Sequence, residues 1–128
     1  MSADALFQNA LLAGLRTSLA GRVNGVSLGP PVQAAPPWIE LGELLAADWS
    51  TKDRAGRELR CLMLIRDDRA APERVQAIAD AAEAVIAALD PAPGAWRVAS
   101  LVLVRRRLAR ERPGWLVALD HRVRLLAV

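Results

Sequence analysis

Apolar and polar positions alternate most clearly at the end of the chain. Val117, Leu119, His121, Val123 and Leu125 fall on one side, and Ala118, Asp120, Arg122 and Arg124 on the other. That is the period-two pattern of a half-buried antiparallel strand. An earlier run carrying Val98, Val102, Val104 and Leu108 precedes it, and Arg112-Pro113-Gly114-Trp115 stands between them. Proline at the second turn position and glycine at the third predict a type II turn, with Gly114 at positive φ. Residues 96 to 128 therefore predict a long hairpin. A hairpin alone is marginal in water, so further strands or helices must cover its apolar side.

The rest of the chain supplies them. Phe7, Leu11, Leu15 and Leu19 recur at four-residue spacing, opposite Asn9 and Arg16. They predict an amphipathic helix capped by Ser2 or Asp4 and closed near Ala20-Gly21. Residues 22 to 37 hold Asn24-Gly25, Gly29-Pro30-Pro31 and Pro36-Pro37, which predict an irregular connector. Trp38 to Leu44 reads as a strand, residues 45 to 57 as a polar loop, and Glu58 to Arg66 as a second strand with Leu59, Cys61, Met63 and Ile65 on one face. Pro72 and Glu73 open a second helix with the stripe Val75, Ile78, Ala82, Val85, Ile86 and Leu89. Its alanines (Ala77, Ala81, Ala84, Ala88) form a flat stripe suited to another helix, from this chain or from a second subunit. The expected fold is α+β: a single domain over 1–128, with a mainly antiparallel four-stranded sheet of two hairpins and two helices on one face, in the order α-β-β-α-β-β.

Composition narrows the chemistry. The chain has 128 residues, enough for one real core, and a formal net charge of +3. With one lysine and no tyrosine, a high isoelectric point says little about a nucleic-acid partner. Cys61 is the sole cysteine, so there is no internal disulfide and no cysteine-built zinc site. The N-terminus lacks the pattern of a signal peptide, and the longest uncharged run is broken by glycine and proline, so no membrane helix is expected. His121 sits on an apolar face with no Ser or Cys partner placed beside it. No phosphate-binding loop, dinucleotide turn or nucleophile elbow is present. Glu40 and Glu43 fall on opposite faces of their strand, which argues against an acid–base pair. Neither a cofactor nor an enzymatic activity is expected.

One resemblance goes further. Pro37-Trp38-Ile39-Glu40-Leu41-Gly42-Glu43, then Asp48-Trp49-Ser50-Thr51-Lys52, then Glu58 opening a strand, resemble the tail-completion (tail-terminator) family. Those are the head–tail joining proteins of long-tailed phages, prophages and gene transfer agents. The leading helix, the Pro-rich loop after Arg22-Val23, the helix near Glu73 and the closing hairpin follow the same layout. This chain differs in carrying the apolar insert Leu44-Leu45-Ala46-Ala47 before Asp48. The resemblance implies a structural virion protein. It would form a homo-hexameric ring that caps the head-proximal end of the tail tube, stops polymerisation and docks the head connector. Its implied partners are itself, the tail-tube protein and a head-connector stopper protein, with DNA passing through the channel unread and no membrane. It would fold in the bacterial cytoplasm and end in the particle. The alternatives are another neck component (stopper or adaptor), a small α+β nucleic-acid-binding module, and a small enzyme.

Two clusters are candidate contacts. Asp48, Trp49, Ser50, Thr51, Lys52, Asp53 and Arg54 form a loop whose tryptophan suits a subunit or tail-tube interface. The alternative is that Trp49 folds back onto its own domain. Arg105, Arg106, Arg107, Arg110 and Arg112 crowd the closing hairpin. They suit DNA phosphates or connector contacts, salt bridges to Asp67, Asp68 and Glu73, or simple solvation that protects a strand edge.

Overall fold

The computed structural model describes residues 1–31 and 33–128. Helix α1 spans Ala3–Ser18, and Ser2 caps it by accepting the Ala5 N–H at 3.2 Å. Strand β1 spans Val26–Leu28, β2 Trp38–Asp48 and β3 Gly56–Asp67. Helix α2 spans Glu73–Ala87, followed by β4, Trp96–Glu111, and β5, Gly114–Ala127. The strands form one sheet in the order β1-β2-β3-β5-β4. All neighbours are antiparallel except β1 and β2, which are parallel.

The architecture is α+β as expected, with three corrections in the sheet. It has five strands, not four, because part of the predicted connector is β1. The chain pairs Val26 with Ile39 and Leu28 with Leu41 before turning back. Secondly, β2 continues through the apolar insert to Asp48, and the loop shrinks to residues 49–55. A register shift between Leu41 and Leu44 resets the alternation, which hid this second half of the strand. Thirdly, the closing turn is not type II. Glu111 pairs with Gly114, so the turn is Arg112-Pro113, whose peptide is cis, and Gly114 lies in β5 without positive φ. Gly114 is required for another reason: a Cβ there would collide with the backbone of Asp67 and Asp68.

Both helices lie on one face of the sheet and enclose the core. Phe7, Leu11 and Leu15 of α1 and Val75, Ile78 and Ala82 of α2 meet Ile39, Met63, Ile65, Leu119 and Leu125. Such side chains, almost wholly removed from water, contribute roughly 1.5–3 kcal/mol each. The helices also touch each other, but through Val85 and Leu89 of the apolar stripe; Ala77, Ala84 and Ala88 of the expected flat stripe are exposed and Ala81 is half-buried. A Cβ added at Gly14 would stand 3.2 Å from Val85 Cγ1, so a side chain there would need Val85 to give way by a few tenths of an ångström. Cys61 lies in this core, and burial pushes its thiol up to about 12. The opposite face of the sheet carries no helix.

Candidate functional site

The uncovered face, its two edges and the hairpin tips are the surfaces on which a partner can act. Among the described residues no group of His, Cys, Asp or Glu could hold a metal ion, and no helix is long and apolar enough to cross a membrane.

The loop of residues 49–55 is built by its own motif. Asp48 Oδ1 accepts the Ser50 hydroxyl at 2.6 Å, and Ser50 Oγ accepts the Gly56 N–H at 3.1 Å. Thr51 Oγ1 accepts the Arg54 N–H at 3.1 Å, and Arg54 donates to the Ala127 carbonyl at 3.0 Å. Asp48, Ser50, Thr51 and Arg54 therefore close the β2–β3 hairpin and pin it to the end of β5. Lys52 and Asp53 are exposed at its tip. Trp49 folds back: Arg124 lies over its ring, 5.0 Å from the centroid.

The arginine cluster is divided by strand alternation. Arg105 and Arg107 are exposed on the uncovered face. Arg106 points to the helix side and holds Asp80 and Glu83 of α2 at 2.7 and 2.6 Å. Arg110 lies over the Trp115 ring at 5.1 Å and donates to the Gly114 carbonyl. Arg112 is exposed at the turn. Of the acids proposed as their partners, Asp67 and Asp68 are engaged by another arginine. Asp67 Oδ2 accepts from Arg74 Nε at 2.7 Å, and Asp68 is also paired with Arg74. The Arg74 hydrogen bond is the chief cause that holds the Asp67 carboxyl below its ordinary value, against a desolvation that raises it. Glu73 is exposed at the start of α2 and has no ion pair among the described residues. Arg74, one position after Glu73 and not singled out by its sequence context, holds both aspartates.

Charges on the uncovered face are mostly cross-strand pairs. Arg60 meets Asp120 at 2.6 Å, Arg124 meets Glu58 at 3.3 Å, and Arg66 bridges buried Glu40 to Glu111. Such pairs on a half-exposed face fix strand register more than they stabilise.

The two outer strands were also missed as site elements. None of the sixteen residues of β4 is buried, although it carries Val102, Leu103, Val104 and Leu108. One side of its backbone ladder has no strand beside it. On the far side of the sheet, β1 covers β2 only from Ile39 to Leu41. Residues 43–48 of β2 are left as a second open edge, with Leu45 54% exposed. The signal in the sequence was a strand apolar on both faces with no covering element to match.

The fold is that of known virion proteins. A chain in the virion of a native gene transfer agent particle matches over 98% of this chain and 99% of that one, at TM-score 0.76 and 25% identity. The bacteriophage SPP1 gp17 protein shares the fold over 96% of this chain and 89% of its own, at TM-score 0.59 and 18% identity. These neighbours are consistent with the head–tail joining family that the sequence resembles. No protein-family model and no curated relative matches the chain.

Proposed function

We propose that this protein is a structural subunit of a phage-type tail. Copies of it form a ring at the head-proximal end, terminate tube polymerisation and join the tail to the head connector. The observation that carries this reading is the end-to-end likeness to a chain of a gene transfer agent virion. Two open sheet edges on a small domain support it, because a lone subunit leaves exposed strands that an assembly would cover. A ring of six is taken from the family resemblance. Its other partners on this reading are the tail-tube protein and a head-connector stopper, with DNA crossing the channel unread.

The uncovered face does not favour a nucleic-acid-binding module. Arg60, Arg66 and Arg124 already face carboxylates within the chain. The chain has one Phe and no Tyr, and of its four Trp, Trp49 and Trp115 already lie under Arg124 and Arg110.

Electron microscopy of particles from a strain lacking the gene tests the proposal. The expected result is tails of uncontrolled length, detached from DNA-filled heads. Tails of normal length that fail only to join heads would move the protein to the stopper or adaptor position. Normal, attached tails would overturn the reading.

A further inference from the structure

The open edges of the sheet lie at opposite ends, and their directions match. Each of β2/β3, β3/β5 and β5/β4 is antiparallel, so β2 and β4 run oppositely. A second copy set beside the first, its sheet in the same orientation, presents β2 antiparallel to β4. Such a contact uses two different surfaces and repeats from copy to copy, closing into a ring when the rotation allows.

The side chains at the two edges also match in height. Across the sheet, Leu45 opposes Arg60, Arg60 opposes Arg122, and Arg122 opposes Val102. Leu45 and Val102 therefore share a row on the uncovered face. Leu44 reaches Leu103 in the same way through Cys61 and His121. Glu43 and Arg105 line one shallow depression with Leu62 and Asp120. With no shift along the strands, Val102 of one copy meets Leu45 of the next, Leu103 meets Leu44, and Arg105 meets Glu43. The ladder stops there, because the neighbour's β1 fills the lane beside Ile39, Glu40 and Leu41, and β4 has to turn out of the row beyond its bulge between Leu103 and Arg105. Leu45, Val102 and Leu103 are 54%, 40% and 37% exposed in the single subunit. Among the described residues neither Glu43 nor Arg105 has an ion-pair partner in its own chain.

The third edge is less open. β1 has three residues, and Arg16 of α1 donates to its Val26 carbonyl at 2.9 Å. Nucleic acid fits β4 less well than a strand does, because phosphates leave Val102 and Leu103 wet and cannot continue a backbone ladder.

We infer that copies of this chain join edge to edge, residues 100–105 of β4 adding antiparallel to residues 43–47 of the neighbour's β2. One sheet then runs from subunit to subunit. This contact rests on the ring reading and names the surface that builds it.

The test is a double variant, Leu45→Cys with Val102→Cys, in the full chain within assembled particles. Within one chain the two positions are three strand spacings apart, roughly 14 Å, too far for a disulfide. Copper-catalysed oxidation is expected to give a ladder of cross-linked multimers from the double variant and none from either single variant. Terminated, head-joined tails that give no ladder overturn the edge contact and leave the ring reading standing. Normal tails without the gene overturn the ring reading itself.

Charge reversal is the second measurement, at exposed positions that folding tolerates. Glu43→Arg and Arg105→Glu are each expected to cut the yield of joined particles at least tenfold, and their combination to restore it. Folded single variants without effect, or a folded pair that restores nothing, overturn the contact. So does an Arg105→Glu defect that tracks salt-dependent DNA binding and is not rescued by Glu43→Arg.

Discussion

Arg106 reaches from β4 under α2 and meets Glu83 at 2.6 Å, although the arginines on either side of it face the opposite way. It also donates to the Gln76 carbonyl at 3.2 Å. A strand alternates its side chains, so a run of three arginines splits into one facing the helices and two facing solvent. Replacing Arg106 by Met is expected to lower the unfolding free energy of the isolated subunit by about 1–2 kcal/mol, since half-buried Glu83 loses its partner. Arg105→Ala and Arg107→Ala should each stay within about 0.5 kcal/mol. Urea denaturation reads all three, and equal losses would contradict the division.

His121 predicts a pH dependence. It is 2% exposed, and its Nδ1 has no hydrogen-bond partner. Cys61 of β3 and Leu103 of β4 flank it, Arg106 and Glu83 approach from the helix side, and Asp120 precedes it. Desolvation dominates and lowers its pKa below 6.5, against the smaller opposing pull of Glu83 and Asp120. The folded state therefore holds the ring neutral while the unfolded chain binds a proton. Full stability is present above about pH 6.5 and falls as the pH drops toward the folded value, at up to about 1.4 kcal/mol per pH unit. Denaturation at pH 7.5 and 5.5 should show the loss, and His121→Leu should remove it. A loss unchanged in His121→Leu would assign it to other groups.

Gly114 has no space for a side chain. Its Cβ would run into the Asp67 carbonyl, and backbone cannot rotate away as a flexible side chain would. Gly114→Ala is expected to cost at least about 2–3 kcal/mol. The type II turn first expected would instead require a positive φ, which Gly114 does not have. Backbone hydrogen exchange in the variant should rise at residues 66–68 and 113–115. A variant as stable as the parent would show that the close approach does not exist in solution.

The elements legible in the sequence are those whose pattern is local. β5 alternates because one face is core and the other carries Asp120, Arg122 and Arg124, while β3 shows as a strand through its unbroken apolar run Cys61 to Ile65 between charged flanks. α2 keeps its stripe between Pro72 and the break at Asp90-Pro91. β1 was hidden because three residues between glycines carry no period, and its pairing with β2 is set by contacts ten or more residues away. The second half of β2 was hidden by the register shift beside Gly42 and Glu43. β4 showed as apolar, but its position at the sheet edge depends on β5 pairing with β3, which no local pattern reports. The loop between β2 and β3 is shorter than the 45–57 expected, and the hydrogen bonds of Asp48, Ser50 and Thr51 give its motif a structural task.

Trp49 shows how a motif residue can serve the fold before any partner. Its backbone N–H donates to the Gly56 carbonyl at 2.9 Å, and Arg124 covers its ring. Gly56 must be glycine here, since a Cβ would stand 2.9 Å from the Trp49 carbonyl carbon. Arg124 is further tied to Glu58 at 3.3 Å, so ring, guanidinium and carboxylate bind the loop to β3 and β5. Trp49→Ala is therefore expected to lower the stability of the isolated subunit by about 1–2 kcal/mol, the sum of lost ring burial and the cation–π contact. Arg124→Ala should cost less on its own, and the double variant less than the sum of the two, because they share one contact. Strict additivity would place the Trp49 contribution elsewhere. If Trp49→Ala left the subunit as stable as before but reduced joined particles, the tryptophan would act at an interface and not in the closure of its own hairpin.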